Sequence, residues 1–209
     1  MNLAVAQQSR VPALASTAFG LALGAATFLL HGHYPLLDVL TNSTSTWIIW
    51  AAIAGALIPD RGQAAMSGAL MLVATCAAYY AVAASQGMFG LGAIPTAAVW
   101  FVTGAIGGPI LAWAGWSARR AEGFHRNLAV AVIGMTVTGE GLWLAVVLNY
   151  RTPATAFLTA GVIITIALTI YRYRSAGRHP WQPLIYMPLL AGAYLAAEYF
   201  VLDRLLAHV

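Results

Sequence analysis

The sequence predicts an all-α fold, a polytopic membrane helix bundle of seven transmembrane helices, and two observations carry that prediction. Charge is scarce: of 209 residues, 61% are hydrophobic and 8% charged, against about 25% charged in an average soluble domain. The apolar residues are gathered into runs near 20 residues, the length at which a helix crosses the hydrocarbon core of a bilayer. A soluble globule of this composition could not wet its surface, and a disordered chain would be poor in apolar residues. The formal net charge is +4, but the ten basic residues, all arginine, are scattered over loops. They form no patch or stripe, which argues against nucleic acid as a partner. A single cysteine, Cys76, leaves no internal disulfide and no multi-cysteine metal site. It reads as a small apolar residue inside a helix.

The first apolar run covers residues 11–30, entered through Arg10 and left through His31-Gly32-His33. It is too long, and its flank too weakly positive, for a cleaved signal peptide. The second, 47–58, is short and must borrow the hydroxyl residues of the preceding cluster Thr41-Asn42-Ser43-Thr44-Ser45-Thr46 as its first turns; Pro59-Asp60-Arg61-Gly62 then turns the chain. The third covers 64–84 and ends at Ser85-Gln86-Gly87. The fourth covers 93–116 and stops at Arg119-Arg120. The fifth covers 127–149, the sixth 154–170 after Thr152-Pro153, and the seventh 183–206. No soluble segment is left over, so residues 1–209 read as a single transmembrane domain.

Loop charges orient the bundle. With the N-terminus inside, Arg10, Arg61, Arg119, Arg120, Arg126, Arg172, Arg174 and Arg178 are cytoplasmic and only Arg151 and Arg204 are outside. That is the bias of the positive-inside rule, and it places the C-terminus outside. Helices in lipid gain nothing from hydrophobic association, so close contact needs small residues. Gly20 and Gly24 in the first span, and Gly104 and Gly108 in the fourth, supply them at four-residue spacing. Intramolecular packing is the plain reading, with a homo-oligomer as the other use. Pro109 should kink or loosen the fourth helix.

Acids inside the bilayer are the informative residues, since a carboxylate at the centre of a span costs about 2.5–3.5 kcal/mol even on lenient scales. Asp38, Glu122 and Asp203 fall in loops or near a helix end, and Asp60 can cap the third helix. Glu140, in Val137-Thr138-Gly139-Glu140-Gly141-Leu142-Trp143, falls near the middle of the fifth span. Glu198 falls about a turn from the middle of the seventh. At 1.5 Å per residue both lie within about 5 Å of the midplane, displaced outward. Desolvation favours the neutral acid, which can donate a proton or a hydrogen bond. The structural alternative is a glutamate that staples helices through Thr136 or Thr138.

Other polar and aromatic residues belong at the same level. Asn42, Ser45 and Thr46 share a face at helical spacing. Tyr79 and Tyr80 close the third span, Trp100 opens the fourth, Trp143 is one turn beyond Glu140, and Tyr194 is one turn before Glu198. Together they sketch an outward-half pocket, although Trp and Tyr also gather at membrane interfaces for their own reasons. His31 and His33 have no carboxylate or third histidine at ligand spacing, so no metal is expected. No phosphate-binding loop, nucleophile elbow or zinc-protease signature is present, and no cofactor is expected.

The order Leu40-Thr41-Asn42-Ser43, Ala78-Tyr79-Tyr80, Gly107-Gly108-Pro109 and Gly139-Glu140-Gly141-Leu142 resembles small multi-pass membrane proteins of actinobacteria of unknown function. The likeness covers about residues 15–205 and implies a bacterial inner-membrane protein; it supplies no reaction. A looser likeness is to bacterial integral membrane terpene cyclases, with no motif carried over.

Two functions follow as expectations. One is an acid-initiated, cofactor-independent cyclase or isomerase of a lipid-soluble prenyl or terpenoid substrate. In it Glu140 is the proton donor, Glu198 and Asn42 re-supply or accept the proton, Trp143, Tyr194 and Tyr79 face the carbocation, and Tyr80 and Trp100 join them in binding the substrate. The other is a membrane-embedded subunit that binds a small vitamin-like solute for transport, or a proton-coupled carrier.

Overall fold

The computed structural model describes residues 3–31, 39–41, 43–171 and 179–206, with side chains described for 11–31, 39–41, 43–171 and 179–197. Each apolar run is helical. The helices are α1 (Leu3–Leu30), α2 (Thr44–Leu57), α3 (Arg61–Ser85), α4 (Ile94–Arg120), α5 (Gly123–Val146), α6 (Arg151–Tyr171) and α7 (Gln182–Leu206). A short 3-10 turn, Leu91–Ala93, leads into α4. Among the described residues, five helices are long and apolar enough to cross a membrane: α1 from Val11, α3, α4 with its leading turn, α5 and α6. The chain is therefore a multi-pass helical membrane protein. α2 is shorter, with 14 residues. At 1.5 Å per residue it is about 21 Å long, short of the roughly 30 Å hydrocarbon core.

Local chemistry explains where the helices begin and end. Ser43 caps α2 by accepting from the Thr46 N–H at 3.2 Å, so Thr44, Ser45 and Thr46 do form its first turn. Asp60 caps α3, its Oδ1 accepting from the Gln63 N–H at 2.8 Å. Gly87, with φ of 71°, follows the end of α3, and Gly123, with φ of 55°, opens α5 only two residues after α4 ends. Both sit in the left-handed region where a Cβ is costly. Asn149, with φ of 54°, makes the corresponding reversal between α5 and α6. α4 stays helical through Pro109.

The chain forms two compact units, residues Met1–Trp116 and Ser117–Val209. In the first, α1 lies on α3 at its glycines: a Cβ on Gly20 would strike the Met71 carbonyl, and one on Gly24 the Thr75 carbonyl. α3 and α4 meet where Gly68 and Gly108 face each other, with a Gly108 Cβ 2.7 Å from the Gly68 carbonyl carbon and 2.9 Å from the Ala69 nitrogen. α2 and α4 close at Gly55 against Ala112 and Gly115 against Ala52. Both glycine pairs expected to pack helices within the chain do so. Cys76 is buried, and its thiol donates to the Trp100 carbonyl at 3.5 Å, bridging α3 and α4.

In the second unit α5 is the central rod. Gly141 approaches α6 at Leu158 (2.8 Å from a Cβ to the amide nitrogen), and Gly161 approaches α5 at Thr138. Gly134 meets both the Thr165 hydroxyl on α6 and Met187 on α7. The buried Thr165 and Thr169 hydroxyls are satisfied within α6, each donating to a carbonyl four residues back at 2.7 Å. Such back-bonding is how a hydroxyl survives away from water.

Candidate functional site

At one end of the first unit, a hollow of about 410 Å³ opens where α1 and α3 end and α2 and α4 begin. Phe28 comes from the last turns of α1, Trp47 from the first turns of α2, Tyr79 and Tyr80 from α3, Phe89 from the following loop and Trp100 from α4. The rings touch one another. Trp47 is 5.6 Å from Tyr79 and 6.1 Å from Trp100, with planes inclined at 60° and 57°. Phe28 stands edge-on to Tyr79 at 5.3 Å, as does Tyr79 to Tyr80. Aromatic pairs prefer such tilted contacts to face-to-face sandwiches. His31 and the hydroxyl residues Thr41, Ser43, Thr44 and Thr96 complete the lining. No Asp, Glu, Lys or Arg is among the described lining residues.

Of the residues expected at a site, Tyr79, Tyr80 and Trp100 are brought together here. Asn42 lies outside the described residues, although its neighbours Thr41 and Ser43 line the cup. Glu140, Trp143 and Tyr194 belong to the second unit. Glu140 is half-buried on α5, as is Trp143 one turn later. The Tyr194 ring of α7 rests on Gly139, where a Cβ would approach its Cδ1 to 2.6 Å. The Glu198 side chain lies outside the described residues.

Sequence reasoning missed two features. Trp47, Phe28 and Phe89 were read only as span or loop residues; their signal is an aromatic residue near each helix tip on the same side as Tyr79 and Trp100. Arg126 and Asn127 were read as the cytoplasmic edge of a span. Both are completely buried, because α5 starts four residues before the expected boundary. The Arg126 guanidinium donates to the Leu168 carbonyl at 2.6 Å and the Thr169 carbonyl at 3.3 Å, at the C-terminal end of α6. Asn127 donates to the His179 carbonyl at 3.0 Å and the Gln182 side chain at 3.1 Å, at the start of α7. One turn of α5 thus ties the ends of two other helices. A cation at a helix C-terminus also complements the exposed carbonyl dipoles there.

Fold and cup define the class: a multi-pass helical membrane protein that carries an aromatic cavity at one end of its first unit. Within that class the chain belongs to the Family of unknown function (DUF6518), which it matches over residues 4–203. The expected membership in a family of unknown function is met. No curated protein and no solved structure matches the chain.

Proposed function

We propose that the protein is a membrane-embedded binding subunit or carrier for a small solute, held in the aromatic cup of the first unit. The carrying observation is the cavity itself: about 410 Å³ is within the range of pockets that enclose small molecules, and its walls combine six Phe, Tyr and Trp rings with a few hydroxyls for orientation. In this reading all seven helices cross a bacterial inner membrane with the N-terminus inside, supported by the arginine bias of the loops. The cup then opens toward the outer face. Protein extracted from its host membrane in mild detergent is expected to release a bound small molecule on dissociation in a mass spectrometer. The Tyr79→Leu/Trp100→Leu double variant should release none; equal release from both would overturn the reading.

Glu140 supports a second reading, the acid-initiated prenyl cyclase or isomerase. It is half-buried in a helix whose neighbouring turns are buried, with Trp143 one turn on and the Tyr194 ring over the adjacent Gly139. A neutral Glu140 would pass its proton to an alkene carbon. The cation formed would be stabilised by ring faces, and loss of a proton to an ionised Glu198 would complete a net isomerisation. Geranylgeraniol incubated with the protein in deuterated water should yield an isomer carrying deuterium at the protonated carbon. Glu140→Gln should lower the yield at least a hundredfold; full turnover by that variant would sink this reading.

A further inference from the structure

We infer that the cup selects a quaternary ammonium group joined to an oxygen-bearing tail; the inference rests on the solute-binding reading above and names the chemistry of the solute. A flat aromatic ligand needs two parallel walls about 7 Å apart, since rings stack at roughly half that distance. The cup offers no such slot among Trp100, Trp47 and Tyr79. Their planes turn by 57° and then 60° along the series, with centroids 6.1 and 5.6 Å apart. Tyr80 adds a further ring at 81° to Tyr79. Walls that turn this way surround a rounded group rather than a plate. The rounded group best held by ring faces is a cation, because each face carries the negative part of the ring quadrupole.

The charge inventory agrees. A carboxylate or phosphate entering the cup would find no Lys or Arg among the described lining residues, whereas a cation needs no carboxylate where ring faces serve. A bulky ammonium with its charge spread over alkyl groups also loses less hydration than a primary amine. The wall that α2 contributes carries hydroxyls, Ser43 and Thr44, and the start of a helix repels a bare cation. The ammonium therefore belongs against the rings of Trp100, Trp47 and Tyr79, and the oxygen of the ligand beside Ser43 and Thr44 at the start of α2.

Choline and 3,3-dimethylbutan-1-ol have the same shape and differ in one atom, a charged nitrogen against a neutral carbon. Equilibrium dialysis against the full chain in nanodiscs, with empty nanodiscs as blank, measures both. Wild type should bind choline saturably and at least tenfold tighter than the neutral isostere, the scale of a desolvated cation–π contact. Trp100→Leu should erase most of that preference. Trp50→Phe, one turn along α2 against Phe19 and outside the cup, should preserve it and serves as the folding control. Saturable binding of both probes with equal affinity, or with the neutral one tighter, would overturn the ammonium inference while leaving the cup a binding site. Saturable binding of neither would overturn the binding reading itself.

Discussion

Arg126 has no exposed surface, and that places a formal charge among packed helices. It donates to two carbonyls at the end of α6, left over when a helix stops, and to the Asn127 side chain at 3.5 Å. Arg126→Leu keeps the bulk of the side chain but abandons those carbonyls. Hydrogen bonds to charged groups are worth about 1.5–3 kcal/mol each. The variant should therefore lose about 2 kcal/mol or more of apparent stability in a detergent-denaturation titration, and an unchanged midpoint would show that the carbonyls find other partners. Hydropathy could not reveal this residue. An arginine next to an apolar run looks the same whether it reaches water or turns inward. The difference lies in a loop of two residues before Gly123, which starts α5 early and draws Arg126 into the bundle.

Among whole elements, glycine spacing was the most readable signal and its consequence is sharply local. Gly24 has the Thr75 carbonyl where a Cβ would sit, whereas Gly107 has nothing within 4 Å. Gly24→Ala must push α1 off α3 and should cost about 1–3 kcal/mol, read as a lower yield of folded protein and a lower melting temperature. Gly107→Ala, in the other glycine-rich motif, should match wild type. If the two behave alike, backbone contact between α1 and α3 is not what holds the first unit. Helix positions were also legible, because apolar length and capping residues such as Ser43 and Asp60 act locally. Helix rotation was not. Two residues at one depth on different helices can face each other or face lipid, and one sequence carries no term that decides between them.

For the molecule as a whole, that missing term limits how far depth alone identifies a site. Depth grouped Tyr79, Tyr80, Trp100, Glu140, Trp143 and Tyr194 together, yet the first three belong to one unit and the last three to the other. The aromatic half was recoverable because helix tips on one side of one unit are near each other whatever their rotation. The acid half depends on which way α5 and α7 turn. Topology is testable at the same scale. A periplasm-active reporter fused after Val209 should be active and one fused after Arg120 silent, as seven crossings with the N-terminus inside require. Activity at Arg120 would reverse the orientation.

A rod of 14 residues in a solvent built for twenty leaves a gap that the surroundings must fill. Around α2 either the lipid puckers inward or water follows the indole and phenol rings downward. Acyl-chain length thereby becomes a control on how wet the hollow is. In a thicker membrane the mouth lies further below the headgroups, with more oil between water and Trp47.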